Sequence, residues 1–174
     1  MGQKFNLILY KNCILKINLL FLFNIILFSQ CVADDRKKNL DQLFNELKEN
    51  NVELSHQAEK KIWDIWSTHP TNNKLTEILA EGSLHVNNNQ LTKAINLFTN
   101  VINIDPNWAE AWNKRATALY MIGEYQRSQD DIDKVLELEK RHFGALAGQG
   151  LVNIKLKNYE KAIKSYQEAQ KIYP

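Results

Sequence analysis

Residues 109–142 read AEAWNKRATALYMIGEYQRSQDDIDKVLELEKRH. Apolar residues recur at helical spacing on both sides of Gly123, so the stretch reads as two helices and a short turn. Gly123 follows Ile122, where glycine ends a helix without steric cost. Displacing the chain by 34 places in either direction reproduces the pattern. Gly82, Ala116 and Gly150 align, all small, as do Ala94, Ser128 and Ala162. Phe98, Ile132 and Tyr166 align as large apolar residues, and Val101, Val135 and Ala169 align after them. Leu91, Tyr125 and Tyr159 each start a second helix. Pro106 and Pro174 align, with Lys140 in the place of the middle block's proline.

Two antiparallel helices approach closely only where side chains are small, and large neighbours fill the space beside the contact. Gly82 with Ala94, Ala116 with Ser128, and Gly150 with Ala162 are the expected contacts. Proline after a second helix stops it and sets the next turn.

The pattern resembles the tetratricopeptide repeat (TPR), a 34-residue helix–turn–helix with tryptophan in its fourth place. That motif has small residues in the eighth and twentieth places, an aromatic in the twenty-fourth and proline in the thirty-second. Trp112, Ala116, Gly123, Tyr125 and Ile132 carry it in the middle block; Gly150, Tyr159, Ala162, Tyr166, Ala169 and Pro174 carry it in the last. The resemblance covers residues 75–174. It implies an all-α, right-handed superhelix of antiparallel helix pairs, about four in number, with repeats at 75–108, 109–142 and 143–174. The runs from Trp112 to Thr117 and from Leu138 to Leu146 look like small exported TPR proteins of alphaproteobacteria.

The seventh place departs from the usual leucine and holds Glu81, Arg115 and Gln149. Arginine there is familiar in the family, faced by aspartate from the second helix, which implies an Arg115–Asp131 ion pair. Gln149 and Ser165 would hydrogen-bond in the last block, and Glu81, facing Leu97, would turn to solvent.

Residues 34–74 read as a degenerate pair. Leu40, Leu43, Phe44 and Leu47 share one helical face, and Ala58, Ile62, Ile65 and Trp66 another. Ala58 precedes Pro70 by the interval that separates Ala94 from Pro106. An atypical end repeat suits a cap. Trp63 and Trp66 are expected to pack this pair against the first repeat. No solvating helix follows the last repeat, so weak self-association through that end is a further expectation.

Residues 1–33 read as an export signal. Lys4, Lys11 and Lys16 form a basic start, and Leu19 to Phe28 is an apolar run too short to span a bilayer comfortably. Cleavage is expected after Ala33, giving a periplasmic protein. Two alternatives stay open: lipidation at Cys31, although Gln30 departs from the small residue wanted before it, and an uncleaved anchor facing the periplasm. Membrane contact is expected only through this segment. Cys13 and Cys31 both lie within it, so the mature part has no disulfide and no thiolate.

The chain has 174 residues, 44% hydrophobic and 24% charged, which is globular composition. Of its 22 basic residues three stand before position 34, leaving 19 against 20 acidic residues, a net charge of −1. That balance argues against a nucleic-acid binder. His56, His69, His85 and His142 have no metal-ligand spacing. Asp130, Asp131 and Asp133 fall within a helix and lack the glycine turn of a calcium loop. The reading carries no catalytic residue, metal or cofactor, and no enzyme activity.

The family resemblance places ligand-facing residues on the first helices, along a concave face. Carried over, these are chiefly Ser83 and Asn87; Glu110, Asn113, Thr117, Tyr120 and Met121, with His142 closing that repeat; then Gly144 and Leu151. The expected partner is a peptide or protein segment. Asn113 offers a backbone amide both a donor and an acceptor. Tyr120 and Met121 would cover an apolar side chain. The carboxylate clamp of some heat-shock co-chaperones is not matched, because its places hold Leu79, Ser83, Gly144 and Gly148, with Lys114 where asparagine would be.

Overall fold

The structure, a computed structural model, describes residues 34–49 and 51–174. The export-signal reading of 1–33, with Cys13 and Cys31, lies outside the described residues. The chain divides into two compact units, residues 1–41 and 42–174. In the first, residues 34–41 are helical; they open helix α1, which runs over 34–46. The second continues with α2 (Val52–Ser67), α3 (Asn73–Asn87), α4 (Leu91–Ile104), α5 (Ala109–Met121), α6 (Tyr125–Leu138), α7 (Phe143–Lys155) and α8 (Tyr159–Ile172). No strand occurs among the described residues.

From α3 to α8 each helix packs on the next. The turns within the pairs keep the 34-residue register in the backbone itself. Asn89, Gly123 and Lys157 adopt φ of 55°, 85° and 62°. The next residue then donates its N–H back into the ended helix, at 2.8 Å for Gln90 to His85, 3.0 Å for Glu124 to Leu119 and 2.8 Å for Asn158 to Asn153. This left-handed termination satisfies carbonyls that the helix end would otherwise orphan.

Small residues inside the pairs are required by what faces them. A Cβ on Gly82 would stand 2.4 Å from Phe98 Cε1, and one on Gly150 2.5 Å from Tyr166 Cζ. The middle pair carries Ala116 because Ile132, not a ring, stands opposite. Ser128 is fully buried there and donates its hydroxyl to the Ala116 carbonyl at 2.8 Å.

Helix α2 departs from the expected stacking. The rings of Trp63 and Trp66 pack against His142 and Phe143, at the junction of the second and third repeats, while the Trp66 carbonyl reaches Trp108 at the end of the first. Trp63 lies edge-on to His142 and Phe143, with ring centroids 5.5 and 5.4 Å away. Trp66 stacks on the His142 ring at 3.9 Å and 8°. Farther along, the Trp66 carbonyl accepts the indole N–H of buried Trp108 at 2.8 Å. At its other end Glu59 accepts the hydroxyl of Tyr173 at 3.0 Å. Helix α2 is therefore a brace along one edge of the repeats, running from the end of α8 back to the start of α5.

Candidate functional site

The first helices α5 and α7 run side by side with a cleft of about 80 Å³ between them. Asn113, Thr117 and Tyr120 line it from α5, and Gly144, Gly148 and Leu151 from α7. Ile132 and Val152 lie among its other lining residues, and no charged side chain lines it. Gly148 keeps the cleft open, since a Cβ there would meet only Ile132 Cδ1, at 3.7 Å; at Gly144 the missing side chain makes room for Trp63 of α2, whose Cη2 would stand 2.6 Å from an added Cβ.

The candidate residues separate into three groups. Asn113, Thr117, Tyr120 and Leu151 meet at this cleft. Thr117 is exposed and Leu151 is 46% exposed. Met121 is 48% exposed beyond the end of the cleft, and Ser83 and Asn87 lie on α3 outside it. The Ser83 hydroxyl is turned back to the Leu79 carbonyl at 3.0 Å. His142 leaves the candidate surface altogether, because it is 0% exposed.

His142 serves the fold. Its Nδ1 accepts the Ala145 N–H at 3.1 Å and so caps α7. The proton therefore sits on Nε2, which donates to Glu110 Oε2 at 3.0 Å. Glu110 is 1% exposed, although its place in the repeat faces ligand in the family. Asn113 Nδ2 also donates to Glu110 Oε2, at 3.0 Å, and Lys114 Nζ stands 3.2 Å from Oε1. Burial pushes the Glu110 carboxyl up, but the hydrogen bond from His142 and the ammonium of Lys114 together outweigh it. The carboxyl is held below its ordinary value. His69 repeats the device: its Nδ1 accepts from Thr71 and Asn72 at 3.2 and 3.0 Å, and Nε2 donates to Asp105 at 2.8 Å. Both histidines are fold-forming, and the residue spacing alone carries no sign of it.

On the opposite side of the first helices, Arg115 donates Nε and Nη2 to the two oxygens of Asp131, each at 2.8 Å. Its Nη1 reaches Thr99 Oγ1 at 3.1 Å. The same network recurs 34 places on. Gln149 accepts from Ser165 at 2.9 Å and donates to Asp133 at 3.2 Å. Glu81 is exposed. These residues tie second helices together across a first helix and lie outside the cleft.

The tetratricopeptide repeat family profile matches residues 143–174. A TPR repeat-containing protein of Rhizobium etli is 32% identical over 154 residues, covering 87% of this chain and 74% of that protein. Among solved structures, MamA is similar at 25% identity and a TM-score of 0.56, over 68% of this chain and 66% of MamA. The Sgt2 TPR domain of Aspergillus fumigatus matches at 20% identity and a TM-score of 0.57, over 58% of this chain and 67% of the domain. The first TPR domain of Spaghetti (RPAP3), solved with an HSP90 peptide bound, matches at 20% identity and 0.57, over 58% of this chain and 80% of that one.

Proposed function

The chain belongs to the tetratricopeptide repeat family, and on that premise we propose that it is an exported adaptor that captures a peptide or protein segment on the face formed by α5 and α7. One observation carries this reading: an uncharged cleft, opened by Gly148, at which Asn113, Thr117, Tyr120 and Leu151 meet. Its volume of about 80 Å³ is smaller than the roughly 150 Å³ cavity that takes a benzene ring. An aliphatic side chain of the ligand fits it better than an aromatic one. Tyr120 and Met121 extend the apolar contact, and the Thr117 hydroxyl at the rim, which donates to the Asn113 carbonyl at 3.0 Å, keeps a lone pair to accept a main-chain N–H. The HSP90 peptide on the RPAP3 domain is a precedent for the class of ligand only. The clamp places of this chain hold no matching basic pair, so its ligand is recognised by apolar fit.

Residues 1–33 support delivery to the periplasm: a basic start, an apolar core, and small residues before Asp34. A second reading, a lipid-anchored envelope-assembly factor, rests on Cys31. Mass spectrometry of the protein recovered from cells separates the two: an Asp34 N-terminus supports the soluble form, and a lipidated Cys31 the anchored one. The adaptor reading itself is tested with Gly148→Leu, which fills the cleft and improves helix propensity. Peptides selected from a displayed library by the wild-type chain should be rich in aliphatic residues and lost by the variant. Equal binding by both proteins would remove the cleft from the function.

A further inference from the structure

The groove between the second helices α6 and α8, floored by α7, has a volume of about 500 Å³, within the range of small-molecule sites. The repeat register shows how it arises. One repeat earlier the corresponding places hold Ile95, Leu119 and the Arg115–Asp131 pair; here they hold Gln129, Asn153, and Gln149 with Ser165. Gln149 is shorter than arginine and Ser165 shorter than aspartate, so the place of the guanidinium stays open. Asn153 is the residue that packing does not explain. It is 4% exposed where the middle repeat buries Leu119, at 1%. Its Nδ2 donates to Gln129 Oε1 at 3.1 Å and to the Gln149 carbonyl at 2.9 Å. Asn153 lines the groove, and its Oδ1 accepts no hydrogen bond among the described residues. A buried amide in a leucine's place costs stability unless its polar atoms are met.

Charge is segregated along the same groove. Lys161 and Lys164 line it from α8, and neither ammonium forms an ion pair or hydrogen bond among the described residues. Asp133 lines it from α6; its Oδ1 accepts from Gln129 and Gln149 at 2.7 and 3.2 Å, and its Oδ2 accepts nothing among those residues. Glu168, at the Asp133 end, is paired with Lys171. In the repeat register Asp133 stands six positions beyond the place of Lys161, about 9 Å along the helix axis. Opposite charges that line one groove without meeting suit a ligand carrying both. We propose that the groove binds a short peptide with free ends, close to a tripeptide in length. Its carboxylate lies on Lys161 and Lys164 and its ammonium on Asp133 Oδ2. The ends of an extended tripeptide are about 10 Å apart, whereas the two charges of a single amino acid are too close together to reach both groups. Between them the Asn153 Oδ1 accepts a main-chain N–H of the peptide.

The proposal stands apart from the cleft between α5 and α7, and titration of the full chain with tri-alanine tests it. That peptide offers only its two end charges and its main chain. Saturable binding is expected, with nuclear magnetic resonance shifts at the side-chain amides of Gln129, Gln149 and Asn153. Acetylating the amino end should weaken binding to the wild type by about threefold to fivefold, the size of one exposed ion pair, and should change little for Asp133→Asn. Amidating the carboxyl end should weaken it comparably, and should change little for Lys161→Gln with Lys164→Gln. All three positions are exposed, so these variants should keep the helix content of the wild type by circular dichroism. Asn153→Leu, which restores the residue of the middle repeat, should also lower affinity, and Gly148→Leu should leave it unchanged. Absence of saturable binding overturns the proposal. So does equal binding of a peptide blocked at both ends, or binding that Gly148→Leu removes, which would place the peptide in the cleft.

Discussion

Tyr173 donates its hydroxyl hydrogen to Glu59 Oε2 at 3.0 Å, across 114 positions of sequence. The bond is one end of the α2 brace, whose middle is Trp66 stacked on His142. The apolar middle should dominate the energetics. Trp66→Ala is expected to cost about 3–5 kcal/mol in urea unfolding. Its amide exchange should quicken at the start of α7, where His142 is the cap. Tyr173→Phe should cost no more than about 1.5 kcal/mol, since it removes one hydrogen bond at a partly open site. Equal effects of the two substitutions would contradict the brace as described.

The Arg115–Asp131 pair is half-buried at the arginine and buried at the carboxylate, with side chains 16% and 6% exposed. Arg115→Leu strands that carboxylate and should cost about 3–5 kcal/mol, within the stability of an ordinary domain. The chain should remain helical. Adding Asp131→Leu should recover most of the loss, because the uncompensated charge is then gone. Denaturant midpoints of the two variants check this, and a double variant less stable than the single would refute it.

Glu110 is held as a carboxylate by His142, Asn113 and Lys114. Its carboxyl lies below the ordinary value in the folded chain. The group therefore contributes stability that is fully present above the unfolded value and is lost as pH falls through the folded one. Glu110→Gln should be less stable at neutral pH and should lose less on acidification. Parallel stability curves for wild type and variant between neutral and acid pH would show that this carboxylate has no such role.

Lys157 adopts φ of 62° at the place where the middle repeat has Gly123, at 85°. A left-handed conformation costs an L-residue roughly 1–2 kcal/mol. Lys157→Gly should therefore raise stability by about 1 kcal/mol. Gly123→Ala should lower it by a similar amount through backbone strain alone, since no atom lies within 4 Å of the added Cβ. Thermal unfolding of both variants reads the two signs.

The fold was legible because the repeat restates itself. Gly82, Ala116 and Gly150 mark close approach three times over, and a chance match does not hold register through 34-residue steps. Arg115 and Asp131 were legible for the same reason, as a departure at a known place in a known frame. What stayed hidden involved residues far apart in sequence without periodicity. Nothing in the spacing of Trp63, Trp66, His142 and Tyr173 announces that α2 crosses to the third repeat. Once it does, Glu110 and His142 are buried, and two positions that face ligand in the family become part of the fold. The cleft was partly legible: Asn113, Thr117, Tyr120 and Leu151 meet as the register implies. Its opening depends on Gly148, whose effect appears only when α5 and α7 are set side by side.

The proposed function requires that a ligand occupy the cleft between α5 and α7. A photoreactive amino acid at Thr117 in the full chain, irradiated in intact cells, tests it most directly. Gln126, outside the cleft, serves as the control position. The expected result is a defined crosslinked partner from position 117, little from 126, and loss of the 117 product when Gly148→Leu is added. A product that persists with the cleft filled, or that forms equally from 126, would contradict it.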